Sequence, residues 1–141
     1  MEYNEDKVRK ITSEILAAIN NLENLKKLSE KEFTADTHKI GSAKYSLIVA
    51  IEGAVDLCNH IIAKNGLRTA EDYADTFKVM NEQGAFDQEF TASLILMARF
   101  RNRLVHIYWD IDDKELFRII QGRLGDIKRF LKEYGIFIGI H

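Results

Sequence analysis

The central helix of the chain is predicted from residues 47–62, which read LIVAIEGAVDLCNHII. Apolar residues recur in this segment at intervals of three and four, the spacing that places side chains along one face of an α-helix. The helix is expected to extend to about Lys64, because the Asn65-Gly66 pair that follows supplies a glycine suited to a helix end. Its apolar face is expected to form the middle of the core.

A polar line of residues flanks that apolar face. Tyr45, Glu52, Asp56 and Asn59 fall within roughly 60° of one another when successive residues are turned by about 100°. They form either part of a functional site or a half-exposed acidic flank. Gly53 lies beside them in mid-helix, where glycine costs about 1 kcal/mol relative to alanine, so we expect another helix to approach closely there.

Two more residues of the central helix have predictable surroundings. Cys58 is the one cysteine of the chain, so it cannot form an internal disulfide, and it lies where a small apolar residue would serve as well. It is expected to be buried and unreactive. His60 falls on the side of the helix opposite Ile51 and is expected to face solvent.

Helical segments are also predicted before and after the central helix. An apolar stripe at helical spacing extends from about Asp6 to Lys31, and the polar residues between Phe33 and Lys39 indicate a turn followed by a helix start. A short helix is predicted from the capping-box-like residues 69–72 to Gly84.

The last two helices are predicted at about Asp87–His106 and after the acidic residues 110–113. The C-terminal tail, residues 136–140, is too apolar to stand free, and it is expected to fold back or to join an interface.

Composition restricts both the fold and the function. A chain of 141 residues with 46% hydrophobic residues, 30% charged residues and no proline predicts a single helical domain, residues 1–141. The economical all-α architecture is an up-and-down four-helix bundle with an additional short helix. No uninterrupted apolar run reaches the roughly 18 residues of a membrane span, and the first residues are too acidic for a signal peptide, so a cytoplasmic protein without a membrane partner is expected. The chain has no glycine-rich phosphate loop and no cysteine or histidine cluster with metal-ligand spacing, so neither a metal nor a cofactor is expected.

Binding to RNA would depend on a local cluster of basic residues, because the formal net charge is −2. The helix predicted at Asp87–His106 carries such a cluster near its end, namely Arg99, Arg101, Arg103 and His106. The cluster is small, but it interrupts an apolar repeat, so charged residues occupy positions where core packing would favour apolar ones.

Arg101 occupies a position of the helical repeat where an apolar residue belongs. A guanidinium group there is costly unless a carboxylate or a phosphate meets it, and Glu52 and Asp56 are the candidate carboxylates. Taken alone, this pattern favours a structural ion pair. His106 adds a side chain that titrates near neutral pH. A phosphate-binding arginine and an acid–base histidine suffice to cleave RNA through its 2′-hydroxyl group without a metal ion.

The spacing of Arg101 and His106 raises a geometric difficulty. Five residues on a straight helix separate the two side chains by about 140°. Either the helix is distorted near its end, or the arginine side chain bends across, or residues from two subunits share one cleft. The apolar residues of this helix cover about 260° of its circumference, more than one core requires, so part of its surface is expected to meet a second subunit.

The segment Arg101–Tyr108 contains an arginine, four residues, a histidine, one residue and a tyrosine, with asparagine directly after the arginine. This motif resembles the HEPN ribonuclease motif in the form found in HepT toxins. Residues 50–62, Gly66-Leu67-Arg68 and Tyr73-Ala74-Asp75 also resemble that family. Relatives often carry a proline after Gly-Leu-Arg, whereas this chain has Thr69-Ala70. HepT proteins are the nuclease halves of toxin–antitoxin pairs whose partner is a small nucleotidyltransferase.

The resemblance implies a HEPN-like bundle that forms a homodimer, with both copies of the motif lining one groove. It assigns catalysis to Arg101 and His106, with support from Asn102, and products that end in a 2′,3′-cyclic phosphate. Further candidates for supporting roles are Glu52, Asp56 and Arg103. In the family the tyrosine of the motif receives AMP from the antitoxin, which maps to Tyr108, and the helix calculation places Tyr108 about 20° from Arg101.

Two other functions are compatible with the same residues. In one interpretation the chain is a non-catalytic nucleotide-binding or adaptor subunit that docks the nucleotidyltransferase through the same arginines. In the other interpretation it is a plain helical scaffold, in which Arg101 and Glu52 form a buried pair and nothing more.

Overall fold

The computed structural model describes residues 1–107 and 110–140, and within them the chain forms six α-helices and no strand. The helices are α1 (Glu5–Lys26), α2 (Glu30–Thr34), α3 (Thr37–Lys64), α4 (Tyr73–Glu82), α5 (Gln88–His106) and α6 (Asp113–Ile138). The predicted all-α class is confirmed: α1, α3, α5 and α6 are the four long helices of the bundle and α4 is the predicted short one. The very short α2 was not predicted.

Helix α3 is the central element, since it packs against α1, α4, α5 and α6. Its apolar face is buried as predicted, and Leu47, Ile51 and Cys58 are almost completely inaccessible to solvent. Burial raises the pKa of the Cys58 thiol well above its ordinary value, so the thiol is inert at neutral pH. From α6, the hydroxyl group of Tyr134 donates a hydrogen bond of 2.8 Å to the backbone carbonyl of Leu57.

By length and composition, α3 is also the one helix among those described that could cross a membrane. Most of its apolar segment is buried inside the bundle, which is what the core helix of a helical domain requires. Glu52 and Asp56 interrupt that segment.

The close helix approach predicted at Gly53 is confirmed. A Cβ atom at this position would lie 2.6 Å from Cγ1 of Ile15, a residue of α1 that is fully buried. A Cβ atom at Gly41, near the start of the same helix, would meet nothing within 4 Å. The requirement for glycine is therefore local to the place where α1 and α3 cross.

The helix predicted from Asp6 to Lys31 divides into two pieces. Helix α1 ends at Lys26, and α2 begins after Ser29. The Ser29 hydroxyl accepts a hydrogen bond from the backbone N–H of Glu32, whose carboxylate accepts one from the backbone N–H of Ser29. The pattern Ser-x-x-Glu is typical of a capping box, but the apolar stripe continues past it and therefore favoured one uninterrupted helix. Phe33 is buried in α2 and does not lie in a turn.

The exposure predicted for His60 is wrong, since only 6% of the residue is accessible to solvent. The N-terminal segment folds over it, and the backbone N–H of Asn4 donates a hydrogen bond of 2.8 Å to its Nε2 atom. Desolvation lowers the pKa of His60, and the positive charges of Lys7 and Lys64 lower it further. The imidazole therefore serves as a neutral acceptor that caps the chain before α1.

The prediction that the C-terminal tail folds back is also wrong. The tail continues α6 as far as Ile138, and Gly139 ends the helix in the left-handed conformation with φ 89°. One side of the tail packs on the bundle through Ile138, while Ile136 is 66% exposed. The alternative, that the tail joins an interface, stays a prediction.

Candidate active site

Arg101 lies on the side of α5 that faces α3, and its side chain is only 13% exposed. Its Nε and Nη2 atoms both donate to Oε1 of Glu52, with an Nε–Oε1 distance of 2.9 Å. Its Nη1 atom donates to Oδ1 of the next residue, Asn102, at 3.2 Å. The predicted ion pair is therefore present, and Glu52 rather than Asp56 is the partner.

Two hydrogen-bond donors of the Arg101 guanidinium group have no partner among the described residues. It has five N–H groups, and the three recorded bonds use one on each nitrogen. One N–H on each terminal nitrogen is left without a partner among the described residues. Two such donors match two oxygens of a phosphate group, which arginine binds in a bidentate manner.

An aromatic ring covers the same guanidinium group. The ring centroid of Tyr73, the first residue of α4, lies 4.6 Å from Cζ of Arg101. A cation over an aromatic face is attracted by the quadrupole of the ring. From the sequence, Tyr73 was singled out only within the Tyr73-Ala74-Asp75 segment that resembles the family, and no contact between Tyr73 and Arg101 was predicted.

His106 lies in the last turn of α5, and the residue is exposed. The helix stays regular up to His106 and ends at Ile107, whose N–H donates to the carbonyl of Arg103 at 2.9 Å. The side chain of Arg101 is held against α3, whereas His106 leaves the helix about 140° away. The helix is regular up to His106, and the Arg101 side chain is bound to Glu52 of α3, with no hydrogen bond between Arg101 and His106 among the described residues. A cleft shared by two subunits stays a prediction.

Arg103 belongs to a separate network on another side of α5. Its Nη1 and Nη2 atoms donate to the two carboxylate oxygens of Glu115 at 2.8 and 3.0 Å, and its Nε atom donates to Asp110 at 3.3 Å. The hydrogen bonds that Arg103 donates to Glu115, followed by the charges of both carboxylates, raise the pKa of Arg103. This network joins the end of α5 to the beginning of α6.

Asp56 lies one turn beyond Glu52 on α3. It lines an open groove of about 690 Å³ together with His60, Lys7 and Lys64. Desolvation by the surrounding chain raises the pKa of Asp56, and the negative charge of Glu52 raises it further. Among the described residues Arg101 donates no hydrogen bond to Asp56.

Apolar side chains are exposed along α5 and just beyond it. Leu96, Val105 and Ile107 are 50%, 37% and 43% exposed. Leu96 also lines a cavity of about 260 Å³, whose walls are largely apolar residues of α3, α5 and α6, with Arg99 and Arg103 among its polar residues. The protomer does not cover this surface, in keeping with the excess of apolar residues noted in the sequence.

The residues that the structure describes contain no group of three or more histidine, cysteine, aspartate or glutamate side chains arranged to hold a metal ion. Tyr108, the predicted acceptor of AMP, lies outside the described residues. Its assignment therefore stays with the sequence motif.

Comparison with known proteins identifies the family. The model of the ribonuclease HepT-like family matches residues 15–134. A candidate RNase of Archaeoglobus fulgidus is 32% identical over 78 residues, which are 55% of this chain and 58% of that protein. The chain thus spans somewhat more than half the length of this curated relative.

Solved structures share the fold along nearly the whole chain. A tri-AMPylated HEPN toxin of Shewanella oneidensis in complex with its MNT antitoxin is 20% identical, with a TM-score of 0.86 and coverage of 94% of this chain and 99% of that one. The cytosolic protein YutE of Bacillus subtilis, of unknown function, is 17% identical, with a TM-score of 0.80 and coverage of 98% and 93%. These identities show the fold alone, whereas the family model covers most of the sequence. The chain belongs to the ribonuclease HepT-like family.

Proposed function

We propose that this protein is a metal-independent endoribonuclease, the toxin of a toxin–antitoxin pair whose antitoxin is a nucleotidyltransferase, and that it acts as a homodimer in the cytoplasm. The observation that carries the proposal is Arg101, which Glu52 orients while two of its N–H groups stay available for a phosphate. Membership of the ribonuclease HepT-like family supports the RNase activity. The fold shared with a HEPN toxin bound to an MNT antitoxin supports the pairing.

The reaction transfers the phosphate within the RNA chain. The 2′-hydroxyl oxygen attacks the adjacent phosphorus while the imidazole of His106 takes the hydroxyl proton. The bond to the 5′-oxygen breaks as that oxygen takes a proton from solvent. Arg101 binds the nonbridging oxygens, where negative charge grows in the transition state. The products end in a 2′,3′-cyclic phosphate and a 5′-hydroxyl.

The supporting residues have different tasks. Glu52 fixes the plane of the Arg101 guanidinium group, and Asn102 accepts a bond from its Nη1 atom. Asp56 keeps the adjacent groove polar. Arg103 holds the end of α5, and with it the backbone that carries His106, against α6 through Glu115.

Incubation of the purified protein with total RNA in the presence of EDTA tests the nuclease. We expect fragments with a 2′,3′-cyclic phosphate from the wild type and none from His106→Ala. His38→Ala is the matched control, because His38 is an exposed histidine at the start of α3. Intact RNA after incubation with the wild type, or undiminished cleavage by His106→Ala, would contradict the proposal.

The shared cleft has its own test. Arg101→Ala and His106→Ala proteins are inactive alone in this scheme. A mixed dimer, however, contains one cleft that draws its arginine and its histidine from intact copies. Mixing equal amounts after reversible dissociation should restore roughly a quarter of wild-type activity, since half of the dimers are mixed and each has one intact cleft. No recovery would place both groups of a cleft on one protomer.

We also propose that Tyr108 is the residue that the antitoxin modifies. The support is its place in the motif and the AMP carried by the similar HEPN toxin of Shewanella oneidensis. Intact-mass measurement after co-expression with the nucleotidyltransferase should show added adenylate in the wild type and none in Tyr108→Phe. Equal adenylation of the wild type and of Tyr108→Phe would show that Tyr108 is not the modified residue.

One observation favours a second function, a non-catalytic adaptor subunit. Within the protomer Arg101 is already paired with Glu52, and His106 leaves α5 on another side. An adaptor would use the arginine to bind a nucleotide or to dock the nucleotidyltransferase. Loss of partner affinity in Arg101→Ala, together with no cleavage of RNA by any preparation, would decide for this function.

A further inference from the structure

Arg101 is held from three directions, by residues of three different helices. Glu52 of α3 binds one edge of the guanidinium plane, through Nε and Nη2. Asn102, the neighbour of Arg101 in α5, takes an N–H of Nη1. Both contacts act within the plane of the group. The Cζ atom of Arg101 lies over the face of the Tyr73 ring of α4, 4.6 Å from the ring centroid, so this third contact limits how the guanidinium group can move on that side.

The position of Tyr73 is itself well fixed. The side chain of Asp72 caps α4 by accepting a hydrogen bond of 2.7 Å from the backbone N–H of Asp75. The Asp75 carboxylate is in turn bound by Arg68, with N–O distances of 2.8 and 3.1 Å. The hydroxyl of Thr76 donates to Oδ1 of Asn59 in α3 at 3.4 Å. These contacts anchor the beginning of α4 without any contribution from Arg101.

We propose that Tyr73 is a positioning residue of the nuclease site, whose ring sets the tilt of the Arg101 guanidinium group so that its two free N–H groups meet the phosphate undergoing cleavage. The inference rests on the proposed nuclease function and extends it to α4. It assigns a task to the ring of Tyr73 and none to its hydroxyl, for which no hydrogen bond is recorded among the described residues.

The effect is expected on the rate of the chemical step. Negative charge on the phosphate oxygens grows in the transition state, so a tilted arginine loses more stabilisation there than in the bound substrate. A ring over a partly desolvated cation contributes on the order of tenfold in such an equilibrium. Tyr73→Leu should therefore lower kcat about tenfold and change KM less than twofold.

Tyr73→Phe separates the ring from the hydroxyl. It should retain kcat within about twofold of the wild type, because the stacked face is preserved. Wild-type kcat in Tyr73→Leu would overturn the proposal. An equal loss in Tyr73→Phe and Tyr73→Leu would overturn it as well, since the hydroxyl would then be the active part.

Phe117→Leu is the matched control for the loss of a half-buried aromatic ring. Phe117 packs on Phe33 with ring centroids 5.7 Å apart, between α6 and α2. Both leucine variants should lower the melting temperature by a few degrees, but only Tyr73→Leu should lower kcat. A fall of kcat in Phe117→Leu that parallels its stability loss would show that packing, and not orientation of Arg101, controls the rate.

A spectroscopic measurement tests the contact independently of RNA cleavage. The Nε–H signal of Arg101, assigned by comparison with Arg101→Lys, should carry a ring-current shift in the wild type and in Tyr73→Phe and lose it in Tyr73→Leu. An unchanged signal in Tyr73→Leu would refute the positioning role even in an active nuclease. Conversely, the expected shifts in a protein that cleaves no RNA would place the failure in the proposed nuclease function alone.

Discussion

Of the arginines that carboxylates bind in this protein, Arg68 and Arg101 are bound in different ways. Arg68 is 46% exposed, yet each of its three nitrogens donates to Asp75 or to Glu82 at distances between 2.8 and 3.1 Å. Arg101 is only 13% exposed, yet it binds a single carboxylate, that of Glu52, and keeps two N–H groups in reserve.

The difference teaches that burial is a poor guide to which arginine serves a ligand. Four of the five N–H groups of Arg68 are bound at the surface, where the side chain ties the loop before α4 to that helix. Arg101 is mostly enclosed, yet only three of its five N–H groups are bound, which is the state expected of a side chain that binds an anion. Counting donors distinguishes the two, whereas their solvent exposure would rank them in the wrong order.

The largest expected effect is on catalysis by Arg101→Lys. Lysine keeps the charge but loses the planar pair of donors, so we expect kcat for RNA cleavage to fall about 100-fold or more. Arg68→Lys makes the same chemical change and should stay within about threefold of the wild type. Equal losses in the two variants would erase the distinction between these arginines.

Glu52→Gln should produce the next largest effect. The amide still accepts a hydrogen bond, but without its charge it holds the guanidinium group less firmly, and we expect kcat to fall about tenfold. Glu82→Gln removes one charge from Arg68 and should leave kcat unaltered. Steady-state cleavage of a short RNA measures both. A wild-type rate in Glu52→Gln would mean that Arg101 needs no carboxylate to be oriented.

Arg68→Leu should act on stability. The carboxylate of Asp75, whose side chain is 14% exposed, loses its partner, and we expect the midpoint of unfolding to move to a lower urea concentration. Urea denaturation measures the change. Arg9→Leu, which removes a highly exposed pair with Glu5, is the control and should cost less than about 0.5 kcal/mol. Equal losses of stability in Arg68→Leu and Arg9→Leu would show that the Arg68 network contributes no more than an exposed surface ion pair.

The smallest effect is the pH dependence of the Arg68 network. Hydrogen bonds from Arg68 lower the pKa of Asp75 to about 2. Because the folded-state pKa lies below the unfolded value, the stabilisation is complete above about pH 4 and is lost as the pH falls towards 2. The difference in stability between the wild type and Asp75→Asn should therefore be constant from pH 7 to about pH 5 and narrow below pH 4. Unfolding by urea at each pH measures it, and a constant difference down to pH 2.5 would contradict the shifted pKa.

Much of the fold follows from periodicity, and the exceptions have local causes. The ends of α3 and α5 were predicted within a few residues because Asn65-Gly66 and Asp87 mark them. The break between α1 and α2 was missed because a capping box at Ser29 interrupts a stripe that otherwise reads as continuous. The prediction for His60 was wrong because a helical projection gives only the directions of side chains within one helix. The segment that covers His60 comes from the N-terminus.

The candidate site was only partly predictable. An arginine in an apolar repeat requires a charged partner, and the polar flank of α3 offered the carboxylates of Glu52 and Asp56. Glu52 forms the ion pair. Tyr73 could not be predicted, because its contact with Arg101 depends on how α4 lies across the bundle. The direction of the Arg101 side chain likewise required the packed helices, since a sequence gives the angle at which a side chain leaves a helix but not how it bends.

The proposed cleft, with its arginine and histidine drawn from two copies of α5, has a consequence for dosage. If every cleft takes its arginine from one copy and its imidazole from the other, a solitary chain is harmless whatever its intrinsic chemistry. At low abundance the rate of RNA decay would then rise with the square of the number of chains, so toxicity would begin at a threshold of expression. Degradation in dilution series should show that quadratic onset, and strict proportionality down to the lowest dose would refute it.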